Sequence, residues 1–373
     1  MACSMTALRC HGRLARLQAR LARKRISALL VTQPANRRYL SGFSASDHGI
    51  QESAGVLLVP RRGQPYLLTD SRFLLQAREE AAGFSVRLYQ KGLLASLQQL
   101  LPELGVRRLG FESHYLLHST AGRLARMAEK LGLELVPVTD MVEPLRVVKT
   151  EEEIGRIRAA VLLNEQVFQQ VYRTIRPGMT EAGIALALET GMREMGAEGP
   201  SFATIVAFGT NAAKPHAVPG SRVLAEGEPV LIDMGLVLDG YCADMTRTVV
   251  VGKPDPLFLE RLRIVRRAQL AAIRVIRAGI PSREVDLAAR RVIRESGYGA
   301  CFGHALGHGV GLEVHEEPRL SARCRKKLRA GMVVTVEPGI YLPEWGGVRL
   351  ENMVVVRKKG CEVFNKDTTF LDL

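Results

Sequence analysis

The sequence predicts an α+β protein of two domains, a smaller α/β domain over residues 1–148 and a larger one over 149–373. Three observations carry the prediction. Helical and extended patterns alternate through the first 148 residues, a helix-opening capping sequence stands at Thr150-Glu151-Glu152-Glu153, and an Asp239-Gly240 dipeptide separates two apolar, β-rich runs. At 373 residues the chain also exceeds what one hydrophobic core usually fills.

Leu14, Leu17 and Leu21 recur at helical spacing and lead into an extended run, Ser27 to Val31. Gly55–Pro60 and Pro65–Asp70 read as a hairpin pair, and further strands are expected at Arg108–Glu112 and Glu134–Val138, flanking a helix near residues 120–131. The boundary falls near Val147-Val148-Lys149, because the capping box that follows opens a long helix with Ile154, Ile157, Val161 and Leu162 as its apolar stripe. A second helix follows Thr180, and two more are expected over Pro256–Ala278 and Ser282–Ser296. Between them, a hairpin closed by Asp239-Gly240 sets Asp233 opposite Thr246, so that Asp233 and Asp244 become diagonal neighbours on one face, roughly 7–8 Å apart. Glu337 follows the apolar run Met332–Val336 and precedes Pro338-Gly339, at the end of a strand. The run from Gly346 to Val356 reads as one strand, with Arg349 and Glu351 on one face and Leu350 on the other.

Asp233, Asp244, His308, Glu337 and Glu351 together make a hard, oxygen-rich donor set with enough negative charge for two divalent cations. Two such cations sharing a water generate a nucleophile at neutral pH. His308 lies in a glycine-rich segment, His304 to Glu316, that also holds His304 and His315. A cation beside the carboxylates is expected because they repel one another in the absence of metal, and Arg349 is placed to supply it. Cys242 and Cys301 stand near this set, but the oxygen-rich set is complete without a thiol; the six cysteines show no paired spacing and read as free thiols. Tyr241 and Thr246 read as packing residues or as contacts of the ligands, and the isolated His48 and His118 as structural or exposed.

Composition fits an ordinary globular protein, 47% hydrophobic and 24% charged. No apolar run approaches the roughly 20 residues of a membrane span, and no signal-type segment follows Arg9, Arg13 and Arg16, so a cytoplasmic protein without membrane contact is expected. Residues 1–148 carry 21 basic and 11 acidic side chains, most of the net +14. Those basic residues are scattered, aromatics are only 5% of the chain, and no nucleic-acid-binding motif is present, so no nucleic-acid partner is expected.

These motifs resemble those of the pita-bread-fold metallopeptidases (M24), which include methionyl aminopeptidase, aminopeptidase P, prolidase and creatinase. The resemblance runs from Asn36-Arg37-Arg38-Tyr39-Leu40-Ser41-Gly42-Phe43 to Glu351, with all five ligand positions filled in order and His216, His304 and His315 present. It implies a pita-bread catalytic domain preceded by a creatinase-like domain, two divalent ions per chain, manganese first, with cobalt, iron or zinc as alternatives, and a homodimer. Asp233 is then expected to chelate one ion, Asp244 and Glu351 to bridge both, and His308 and Glu337 to complete the set. Glu337 would carry the proton to the leaving nitrogen, with His216, His304 and His315 as donors near the scissile carbonyl and Arg349 as electrostatic support. The long first domain and His304 place the chain on the proline-specific side, acting on peptides with proline second. Ala305 and Asn352 depart from the common motif spelling. The motif spelling leans to an aminopeptidase P-like activity; an Xaa-Pro dipeptidase is the alternative, ahead of a methionyl-type aminopeptidase or a non-catalytic binding module. A dipeptidase needs a basic group for the free carboxylate after proline, which the surplus in residues 1–148 would supply.

Overall fold

The computed structural model describes residues 2–369, which form two compact units divided between Arg146 and Val147. In the first, a six-stranded sheet runs in the order Ser85–Leu88, Tyr66–Thr69, Val56–Pro60, Ala28–Val31, Arg108–Glu112, Glu134–Val138. Ala28–Val31 lies near the middle because all four of its residues are apolar and buried. It pairs antiparallel with Val56–Pro60 and parallel with Arg108–Glu112. The expected hairpin forms, with Val56 opposite Leu68. Leu14, Leu17 and Leu21 are buried along one face of the helix Ala2–Arg23. Short helices at Pro34–Ser41 and Leu74–Glu80, the helix Leu93–Glu103 and the edge strand Ser85–Leu88 carry weaker periodicity and were not legible in the sequence.

The second unit opens on the capping box. Thr150 Oγ1 accepts from the Glu153 amide at 3.3 Å, and the Thr150 amide donates to Glu153 Oε2 at 2.8 Å. A cap of this kind contributes about 1 kcal/mol and fixes where the helix Glu151–Tyr172 begins. Its inward stripe is Ile154, Ile157, Val161, Asn164 and Phe168. Leu162 is only partly buried, because the helical period passes to Asn164 and leaves it on the flank. Each fully buried Ile or Phe contributes about 1.5–3 kcal/mol.

This helix and Glu181–Glu194 pack on one hydrophobic cluster, and Pro256–Val275 and Ser282–Glu295 pack on a second. The strands form a three-stranded sheet of Met245–Val250, Pro229–Met234 and Ile205–Phe208, and a five-stranded sheet in which Val333–Val336 and Asn352–Val356 are central neighbours. Asp239 and Gly240 form the expected turn with φ of 49° and 81°, the left-handed pair that a two-residue hairpin of this twist requires. The register follows, with Leu238 opposite Tyr241 and Asp233 opposite Thr246. The run 346–356 is not one strand. Gly346–Arg349 pairs with Gly339–Leu342 and Asn352–Val356 with Val333–Val336, so the chain changes partner at Leu350-Glu351. Cys242, Cys301, Cys324 and Cys361 are free thiols, and among the described residues no helix is long and apolar enough to cross a membrane.

Candidate active site

Strand ends and turns of the second unit bring six of the singled-out side chains into one cluster. Asp233 extends from Pro229–Met234, Asp244 precedes Met245–Val250, Glu337 follows Val333–Val336, and Glu351 sits at the partner change. Asp244, His308 and Glu351 offer ligand atoms that all lie within 4.8 Å of one another. His308 Nε2 lies 3.6 Å from Asp244 Oδ2 and 3.3 Å from Glu337 Oε1. Asp233 Oδ2 meets Arg349 Nη2 at 2.5 Å.

Three features of this cluster fit divalent metal. The Nδ1 of His308 faces the Gly309 carbonyl at 3.1 Å and must carry the proton there, so its Nε2 lone pair points at two carboxylates. Burial lowers the proton affinity of this ring to a pKa of about 4, with His315 adding to the effect, so the ring is neutral at neutral pH. With the carboxylates ionised, acceptor faces acceptor, and a cation between them relieves the repulsion. Asp233 Oδ1 and Glu351 Oε1 are likewise buried with no hydrogen-bond partner. Finally, burial and then the mutual repulsion of the carboxylates push Asp244 and Glu337 well above the usual range, and burial followed by Asp233 lifts Glu351 to about 8.

Arg349, 2% exposed, holds the other side together. It donates through Nε to Thr246 Oγ1 at 3.0 Å and through Nη1 to the Tyr341 hydroxyl at 2.8 Å. Thr246 in turn donates to Glu351 Oε2 at 2.7 Å, and Thr335 donates to Glu337 Oε1 at 3.2 Å. The direction of the next bonds is set by chemistry. His304 Nδ1 lies 2.8 Å from the Ala305 carbonyl and so carries the proton, which leaves Nε2 to accept from the Tyr341 hydroxyl at 2.8 Å. Burial lowers His304 to about 4 and raises Tyr341 to about 12, so this chain of bonds stays neutral at working pH.

Tyr341 was not legible as a site residue. Tyr241 donates to Glu153 Oε1 at 3.0 Å and ties the hairpin to the capping box. His315 is exposed and stacks edge-on against His308, with ring centroids 4.4 Å apart. Its segment is held by Glu316, which accepts from the Leu312 amide at 3.0 Å and pairs with Lys149 at 3.1 Å. His216 lies on an exposed segment after the turn Gly209–Ala213, and its charge bears on His304 and His315 without direct contact.

The raised Glu351 carboxyl makes a stability prediction for metal-free protein. An unfolded glutamate titrates near about 4.3, so a folded value of about 8 means stability fully present below that range and lost as pH rises toward 8. With metal chelated, the wild-type melting temperature should fall relative to that of Glu351→Gln between pH 5 and 8. A wild type that gains on the variant over that interval would contradict the assignment.

Residues 155–358 match metallopeptidase family M24, and residues 13–148 match the creatinase/prolidase N-terminal domain. The chain is 35% identical over 342 residues to an Xaa-Pro dipeptidase of Pyrococcus horikoshii, covering 91% of this chain and 93% of that one. The fold is similar to that of an Xaa-Pro dipeptidase from Bacillus anthracis, with a TM-score of 0.89 at 37% identity over 96% of this chain and 98% of that one. An X-Pro aminopeptidase from Thermotoga maritima superposes with a TM-score of 0.84 at 37% identity, over 92% and 96% of the two chains. Cluster, fold and sequence agree, and the chain belongs to metallopeptidase family M24, with a creatinase/prolidase N-terminal domain ahead of its peptidase domain.

Proposed function

We propose that this peptidase hydrolyses the Xaa-Pro bond of dipeptides, with two divalent ions held by Asp233, Asp244, His308, Glu337 and Glu351. The observation that carries the dipeptide reading is Arg319. It is exposed on the strand Glu316–Leu320, has no hydrogen-bond or ion-pair partner among the described residues, and adds to the effect of burial in depressing His308 and His315. An unpaired guanidinium beside the site is the group a free proline carboxylate calls for. The basic surplus in residues 1–148 is therefore not needed, and the lean toward aminopeptidase activity gives way. Two of the three similar proteins named above carry the dipeptidase name.

When bound, the ions polarise the scissile carbonyl and supply a water nucleophile at neutral pH. The oxygen-rich donor set with a single imidazole suits manganese. Glu337, 3.3 Å from His308 and 4.0 Å from His304, is the carboxylate we assign to proton transfer. It is placed to deliver a proton to the prolyl nitrogen, which as a tertiary amide carries none of its own and leaves only as a protonated amine. His315 and His216 are the exposed donors toward the tetrahedral intermediate. His304 has both ring nitrogens engaged, so we assign it to fixing Tyr341 and Arg349. We propose further a homodimer, as the family resemblance implies, and a cytoplasmic place of work.

The test compares Ala-Pro with Ala-Pro-Ala on manganese-loaded protein. Rapid release of proline from the dipeptide with little cleavage of the tripeptide is expected. Arg319→Met should raise KM for Ala-Pro by about 10–100-fold, the worth of one charge-assisted hydrogen bond, and leave Ala-Pro amide unaffected. Comparable cleavage of both peptides would establish an aminopeptidase instead.

A further inference from the structure

The segment that carries His216 is closed at its neck by one buried carboxylate. Glu181 is the first residue of the helix Glu181–Glu194 and is 1% exposed. Its Oε1 accepts from the Phe208 amide at 2.8 Å, its Oε2 accepts from the Gly220 amide at 3.0 Å, and the Asn211 side-chain amide reaches both oxygens at 3.0 Å. Phe208 and Gly220 bracket residues 209–219, so one side chain joins the two ends of the loop. Backbone bonds double the tie, with the Ala182 amide donating to the Gly220 carbonyl at 3.0 Å and the Glu181 amide to that of Arg222 at 3.2 Å. A carboxylate is also favoured here because the first turn of a helix presents partial positive charge.

Inside this closed loop, Ala212 and Ala217 are buried against Ile205, Ala207 and Leu231. Their anchoring turns the residues on either side of Ala217 outward, leaving His216 exposed and Val218 82% exposed. The hairpin that carries Tyr341 and Arg349 seats the first turn of the loop. A Cβ on Gly346 would lie 2.5 Å from the Gly209 carbonyl oxygen, and one on Gly347 would overlap that of Ala212. Close backbone packing on one side and the carboxylate neck on the other make a compact loop of the Ω type, with little freedom left at its tip.

We propose that Glu181 is a positioning residue for peptide hydrolysis. By tying Phe208, Asn211 and Gly220 it fixes the loop, and with it His216, at the substrate side of the carboxylate cluster. This rests on the reading of His216 as a donor to the substrate. Glu181 makes no contact with the cluster itself, so its effect passes through His216 and leaves the metal ligands alone. Misplacement of a positioned group by about 1 Å can reduce rate by about 100-fold.

Glu181→Gln sets an NH2 donor against the backbone donors at the neck. The variant is expected to bind manganese in wild-type stoichiometry, to lose about 10- to 100-fold in kcat/KM for Ala-Pro, and to exchange the amides of residues 209–220 faster than wild type. Asn211→Ala, which keeps the carboxylate, should show a smaller loss with the same pattern. The double variant Glu181→Gln/His216→Ala should be no slower than His216→Ala alone, because the two act as one unit. Losses that multiply in the double variant, or unchanged exchange in 209–220 for Glu181→Gln, would overturn the clamp. Full hydrolysis by His216→Ala together with a loosened loop in Glu181→Gln would instead overturn the reading of His216 on which the proposal rests.

Discussion

Glu337→Gln is expected to lose both metal and turnover, with Ala-Pro hydrolysis reduced by at least about 1,000-fold, the scale seen when a central electrostatic or proton-transferring group is removed. The amide keeps the size of the carboxyl, so packing is preserved and the loss is chemical. Glutamine cannot replace the negative charge that faces the His308 Nε2 lone pair, and its nitrogen cannot take up and hand on a proton. His315→Ala is the paired control. It stacks on His308 from the exposed side and is not one of the five proposed ligands, so manganese should be retained while kcat falls by about 100-fold. Metal content by elemental analysis and kcat on Ala-Pro separate the two. Equal metal loss in both variants would contradict the division of roles.

Arg349→Met should be the most destabilising single change in the site. Its guanidinium is the cation in direct contact with Asp233, and it also holds Thr246 and Tyr341, which in turn orient Glu351 and His304. Breaking a buried pair by removing one partner costs about 3–5 kcal/mol, because the remaining carboxylate stays buried among like charges. In chelator-treated protein the melting temperature should fall by roughly 5–15 °C. Added manganese should recover part of the loss, since the ions supply the missing positive charge. An unchanged melting temperature with and without metal would show that Arg349 is a bystander.

Much of this site was legible because it is built from short-range signals. Asp239-Gly240 fixes a two-residue turn, the turn fixes the register, and the register alone puts Asp233 and Asp244 together. Thr150 and Glu153 similarly announce where the second unit's first helix starts. Tertiary pairing hid the rest. Nothing within residues 346–356 tells the chain to change partner at Leu350-Glu351, because each half alternates correctly; the change mirrors the break at Glu337-Pro338 between the two receiving strands, Val333–Val336 and Gly339–Leu342. Tyr341 becomes a site residue only when Gly339–Leu342 folds back on Gly346–Arg349 and points its hydroxyl between His304 and Arg349. Arg319 was one arginine among many until its lack of a partner and its effect on His308 and His315 set it apart. Leu162 shows the converse error, since an apolar residue one step off the helical period reads as core and lies on the flank.

Titration of metal-stripped protein with manganese, followed by release of proline from Ala-Pro, tests the central claim most directly. Activity should be absent without metal, should appear on titration, and should saturate at about two ions per chain. Full activity in exhaustively stripped protein, or stoichiometric manganese binding with no release of proline, would contradict it.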